Sequence, residues 1–172
     1  MKRGPTLVAI GVAVLALLLF GIMQPTAAGD PDNLEGIRSY KILVEDMGKA
    51  AGDERITRQT LESQVLTTLR TKAPMLRYDP GVVPRIYVNL TLLATGSGYV
   101  GTVFLEFARP VEILVGVHRT GEPAARRRWT VATVWDSAYT ISGSTGDAAE
   151  HVRRSLDELL TDFVADYLKA NQ

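Results

Sequence analysis

Apolar positions along this chain fall into three patterns: an unbroken run near the start, two-residue alternation through the middle, and a helical stripe at the end. The middle and end predict one domain in the order β-α-β-β-β-α. The first element is residues 39–46, where Ile42, Leu43 and Val44 read as a strand buried on both faces. Residues 47–54 hold two glycines and an Asp and read as a loop. Thr57 is a good N-cap, and Leu61, Val65 and Leu69 at steps of four give one helical face over residues 58–72. Arg70 and Lys72 fall in the last turn, where the helix dipole favours cations, and Pro74 ends the helix.

After a connection at 77–84, residues 85–94 alternate cleanly. Ile86, Val88, Leu90 and Leu92 point one way, and Tyr87, Asn89 and Thr91 the other, which is a half-buried strand. Gly96-Ser97-Gly98 reads as a hairpin turn. Residues 99–119 are long for one strand: Val103, Leu105 and Phe107 share a parity with Val111, Ile113, Val115 and Val117. Arg109-Pro110 between them predicts a bend, bulge or edge, because proline cannot donate to a ladder. A turn at 120–125 leads to a last strand at 127–136, with Trp129, Val131, Thr133 and Trp135 on one face, and a small-residue loop at 142–146 follows. Asp147 is expected to cap the final helix, whose stripe is Val152, Leu156, Leu159, Leu160, Phe163, Tyr167 and Leu168.

A strand-helix-strand start favours a parallel right-handed crossover, and the hairpins that follow are antiparallel. Each helix has one apolar face. The expected fold is an α+β two-layer sandwich, a mixed sheet of four or five strands with both helices packed on one face.

The unbroken run changes the picture of the whole chain. Lys2 and Arg3 precede residues 6–23, which carry no charge; Gln24-Pro25 and the small residues Thr26, Ala27, Ala28 and Gly29 follow. A basic start, an apolar stretch and a small-residue site make an export signal. Residues 1–28 are therefore expected to be a cleaved signal peptide or an uncleaved N-terminal membrane anchor, 29–36 a polar linker, and 37–172 a single domain. The first alternative gives a periplasmic or secreted protein, the second one anchored to the inner membrane, with membrane contact through residues 6–23.

Composition mainly excludes. Without Lys2 and Arg3 the 19 basic residues become 17 against 19 acidic ones, so no basic excess argues for nucleic acid. The absence of cysteine removes disulfides, thiolate metal sites, a cysteine nucleophile and a cysteine-borne lipid. His118 and His151, the only histidines, lack the spacing of a zinc site. Glu45-Asp46 at a strand end reads as the start of a polar loop, and Arg153/Asp157 and Arg154/Glu158 as ordinary i,i+4 surface pairs. No nucleophile elbow, SxxK or phosphate loop is present. Asn89-Leu90-Thr91 matches a glycosylation triplet inside a strand. No catalytic, cofactor-binding or metal-ligating residue is assigned, and no cofactor is expected.

Two surfaces remain. Arg126-Arg127-Arg128 beside Trp129 could grip an anionic group, although alternate members of a strand point to opposite faces. The sheet face away from the helices would carry Tyr87, Asn89, Thr91, Thr102, Phe104 and Leu114. Tyr87, Asn89, Phe104, Arg126, Arg127 and Arg128 together form the candidate partner surface.

Three stretches, ITRQTLESQVLTTLR at 56–70, TVATVWDS at 130–137 and LLTDFVADYLKAN at 159–171, resemble a pattern in uncharacterised exported bacterial proteins. The element order is also similar to small modules of envelope assemblies, such as the N-terminal domain of the Tol-Pal translocation protein and the curli secretion lipoprotein. This chain lacks the lipid-bearing cysteine of the latter. Export, a compact domain and the lack of a reactive constellation point to a non-enzymatic envelope protein, a binding or assembly accessory whose partner is an envelope protein or a second copy. The alternative is a periplasmic carrier or sensor of a small apolar or anionic ligand. A hydrolase with a scattered site is the third reading, disfavoured by the lack of a paired nucleophile and base.

Overall fold

The computed structural model describes residues 31–45, 55–96, 98–119 and 122–172, without the side chains of 117–119, 122–125 and 145. The expected export segment at 1–28, Asp46 and the loop expected at 47–54 lie outside this range. Seven elements make the domain: β1 (Ser39–Val44), α1 (Arg58–Lys72), β2 (Arg77–Tyr78), β3 (Arg85–Thr95), β4 (Gly98–Arg119), β5 (Glu122–Ser144) and α2 (Ala148–Ala170). The sheet order is β2-β1-β3-β4-β5. β1 is parallel to both β2 and β3, and the β3–β4 and β4–β5 pairs are antiparallel. The two-residue β2 falls within the segment expected to be a connection.

Both helices cover one face of this mixed sheet, as the apolar alternation predicts. Ile42, Ile86, Phe107 and Trp135 are successive partners across one row of the sheet. Phe107 stacks on Phe163 of α2 at 5.6 Å, and Trp135 meets the same ring edge-on at 5.2 Å. Ile42 lines a small cleft together with Gln59, Glu62 and Ser63 of α1. The helices also touch each other: Gln64 Nε2 donates to the Arg153 carbonyl at 2.7 Å, and Lys72 Nζ to Thr161 Oγ1 at 3.0 Å.

Local chemistry fixes the helix starts. Thr57 and Thr60 form a reciprocal capping box that satisfies the amides of both residues at the head of α1. Asp147 occupies the N-cap of α2 but makes no side-chain capping bond; its carboxylate accepts from Ser144 Oγ instead. The expected α2 surface pairs also differ. Arg154 pairs backwards with Glu150 at 2.6 Å, Arg153 donates to the Ala149 carbonyl, and Asp157 sits 3.9 Å from Lys72 of α1. Inter-helix contact draws Asp157 away from its own turn.

Three further expectations are corrected. β1 is not buried on both faces, because Leu43 lies on the sheet face without helices and is 44% exposed. Residues 31–36 are not a free spacer. Pro31–Leu34 form a 3-10 turn with Leu34 in the core. Asn171 clamps that turn by donating to the Leu34 carbonyl and accepting from the Gly36 amide, both at 3.0 Å. β5 is longer than expected at both ends, and it carries an irregularity opposite Phe107/Ala108. There Phe107 pairs with Trp135 and Ala108 with Thr133, so Val134 is the extra residue of a bulge. The extra residue flips the parity. Trp135 faces the helices, whereas Thr133, Val131 and Trp129 face away with Ala108, Pro110 and Glu112.

Gly101 is required by space. A Cβ there would lie 2.3 Å from the Thr91 carbonyl oxygen and 2.5 Å from Leu92 Cδ2. Thr91 is held in the β3 ladder and cannot yield freely. Gly101→Ala is expected to destabilise the fold by about 1–3 kcal/mol. Denaturant unfolding gives the value directly, and a variant as stable as the parent would mean the β3–β4 contact is looser than described.

Candidate interaction surface

The sheet face without helices is set out in rows by the pairing. Leu43, Tyr87, Glu106 and Asp136 form one row; Asn89, Phe104 and Ala138 the next; Thr91, Thr102 and Thr140 a third; Leu93, Val100 and Ser142 a fourth. On the arm side of the first row lie Lys41 and Arg85. Glu45, at the end of β1, accepts hydrogen bonds from the Tyr87 hydroxyl and the Asn89 amide. The bond to Glu45 is the main reason the Tyr87 hydroxyl is pushed up to about 12, with desolvation and the charges of Glu45 and Glu106 adding to it. Leu93 is 60% exposed, and Phe104 is half-buried only by its sheet neighbours.

The structure therefore gathers Tyr87, Asn89 and Phe104 on this face. It does not bring Arg126, Arg127 and Arg128 to them. Of the 22 residues of β4 the first 11 pair with β3; the remaining 11, from Arg109 on, pair with β5 alone. The far halves of β4 and β5 thus form a two-stranded arm beyond the body of the sheet, and the three arginines sit on it, all exposed. The arm has two apolar faces. Ile113 and Val115 lie on one, opposite Arg128 and Arg126; Leu114 lies on the other, across from Arg127 and diagonal to Trp129. Leu114 is 71% exposed and Trp129 69%. At the root, Arg109 folds back and donates to the carbonyls of Asn33 and Glu35, both at 3.0 Å, tying the arm to the 3-10 turn.

Arg127 contacts Glu112 at 3.3 Å, with its side chain 75% exposed. Exposed pairs of this kind contribute little. Arg127→Ala is expected to change the unfolding free energy by less than about 0.5 kcal/mol, and denaturant titration of dilute protein will show it. A large loss would give Arg127 a structural role.

Elsewhere, polar side chains bond to one another across the core. His151, in the first turn of α2, bonds through Nδ1 to the Tyr99 hydroxyl, and Gly143 leaves room for its ring. Burial, with the charge of Asp147 second, pushes the Tyr99 hydroxyl upward. The side chain of His118 lies outside the described residues. Trp135 Nε1 donates to Asp166 at 2.9 Å, which gives a buried indole its partner. An open groove of about 550 Å³ lies beside α1 and is lined by Arg55, Gln59, Gln64 and Arg153. Among the described residues no three His, Cys, Asp or Glu side chains are grouped to hold a metal ion, and no helix is long and apolar enough to cross a membrane.

The sequence reading missed the arm and the Glu45–Tyr87–Asn89 cluster. The arm had a signal: the alternating stretch after the hairpin is twice as long as the one before it, so half of it had no partner on that side. The cluster had none, because it needs the parallel register of β1 on β3.

The fold and surface define a two-layer α+β domain bearing a projecting β-arm. No family model matches the chain, and no curated protein matches its sequence. Among solved structures it is similar to a dodecamer of a PelC point variant from Paraburkholderia phytofirmans, with 16% identity, a TM-score of 0.43, and coverage of 82% of this chain and 95% of that one.

Proposed function

We propose that this chain is an exported, non-enzymatic module of the bacterial envelope that acts by binding or assembly. The observation that carries the reading is the arm. A two-stranded hairpin is marginal alone in water, and this one exposes Ile113, Leu114, Val115, Trp129 and Val131 on its two faces. Side chains of that kind in one protrusion mark a surface made for a protein partner. The basic, then apolar, then small-residue start of the sequence supports delivery across a membrane.

In-cell cross-linking of the tagged protein, with fractionation and mass spectrometry, tests this. The expected result is protein outside the cytoplasm, cross-linked through residues 109–132. Cytoplasmic retention would overturn the export half. Turnover of ester, phosphate or glycan probes, abolished by single changes on the polar surface, would overturn the non-enzymatic half.

A further inference from the structure

Beyond its apolar side chains the arm has two free edges. Among the described residues no strand but β5 pairs with β4 beyond Ala108, and none pairs with the outer edge of β5. An unpaired edge is a template for another strand, and natural proteins blunt such edges with charge, bulges or proline. The two edges here are treated differently. The β5 edge carries Arg126, Arg127 and Arg128 in succession. The β4 edge reads Val111, Glu112, Ile113, Leu114, Val115, Gly116, Val117, with β-branched residues at four of seven positions and a single charge.

We propose that a second copy of this chain pairs with the β4 edge, antiparallel, about a two-fold axis at Leu114, so that two arms complete one continuous sheet. This rests on the assembly reading above and names the partner.

The sequence of the edge is self-complementary about that point. Pairing centred on Leu114 sets Leu114 against its own copy, Ile113 against Val115, and Glu112 against Gly116, so no like charges meet between 111 and 117. At the margin Arg109 comes opposite Arg119, but the Arg109 guanidinium is already turned back to Asn33 and Glu35. The other arrangements fare worse. Two β5 edges centred on the arm would set three arginines against the same three, which is destabilising. A β5 edge laid antiparallel on a neighbour's β4 edge would drive the body of β5 into the place that β3 occupies beside β4. The two-fold arrangement avoids this. β3 starts at Arg85, opposite Ala108, so each copy's overhang lies in line with the other's β3. A two-fold contact of one patch with itself is also the commonest way for identical chains to associate.

The chain has no cysteine, so introduced thiols report this geometry without background. Directly opposed residues in antiparallel strands lie about 4.5–5.5 Å apart at Cα, within disulfide range. Full chain purified after export is expected to run as a dimer, and Leu114→Cys to give a covalent dimer under mild oxidation while Arg127→Cys gives none. The double change Ile113→Lys with Val115→Lys sets lysines against each other and should return the chain to single-chain mass. Near-ultraviolet circular dichroism of Trp135, buried in the body, checks that the fold persists in each variant. A single-chain mass for the parent protein at high concentration, or cross-linking at position 127 and not at 114, overturns the proposal. A monomer whose arm is captured by a different envelope protein sinks the pairing and leaves the assembly reading standing. A dimer linked at position 114 but confined to the cytoplasm does the reverse.

Discussion

Phe163→Ala is expected to destabilise the domain by about 3–5 kcal/mol, the range for deleting a buried aromatic side chain. Phe163 is 1% exposed and stands where the two layers meet. It stacks on Phe107 of β4 at 5.6 Å, receives Trp135 of β5 edge-on at 5.2 Å, and lies 6.3 Å from Tyr167 one turn later on α2. The substitution removes the ring from all three partners at once. The gap cannot close easily, because Phe107 and Trp135 are held as partners in the ladder beside the Val134 bulge and Trp135 is held to Asp166. Tyr167 in turn donates to the Ile37 carbonyl at 2.9 Å, so a shift of α2 would be felt at the turn that anchors the arm. Leu156→Ala, two turns earlier on the same face of α2 and fully buried, should cost about 2–5 kcal/mol for the same reason. Denaturant unfolding followed by tryptophan emission measures both. Losses under about 1 kcal/mol at both positions would mean that α2 is not docked on β4 and β5 as described.

How much of this was legible in the sequence depends on how local its cause is. The capping Thr57, the step of four along α1 and the stripe of α2 are properties of neighbouring residues, and they appear in the structure at the expected places. The alternation of β3 likewise declares which face is buried. The parity of β5 does not follow from its own residues, because one bulge at Val134 sends Trp135 inward and Trp129 outward. Counting Trp129, Val131, Thr133 and Trp135 by twos treats the strand as regular where a tertiary irregularity intervenes. Leu43 shows the same limit from another side. An apolar triplet at 42–44 reads as doubly buried, yet its exposure depends on whether a second layer covers the far face, and none does among the described residues. The two parts of the candidate surface separate for a related reason. Tyr87 and Phe104 sit in the body, whereas the arginines sit on an overhang whose extent depends on where β3 stops.

Alkaline pH should expose a cost built into β1. The Tyr40 side chain is fully buried, and its hydroxyl has no hydrogen-bond partner. Burial pushes its pKa up to about 12 from 10.0; the nearby charge of Arg70 opposes the shift and Tyr78 adds to it. In the unfolded chain the phenol ionises near pH 10, while in the fold it stays neutral. The folded state therefore binds the proton more tightly, and stability present in full below pH 10 is lost as pH rises from 10 to about 12. A two-unit difference corresponds to roughly 2–3 kcal/mol by pH 12. Tyr40→Phe removes that loss together with the orphaned hydroxyl. Filling the same space with an apolar ring should leave stability at pH 7 unchanged or raised by up to about 1 kcal/mol. Unfolding free energies for both proteins between pH 8 and pH 12 would then diverge above pH 10, with the parent falling more steeply. Parallel profiles would mean that the hydroxyl reaches water in solution and that β1 is less tightly enclosed by α1 and β2 than the structure has it.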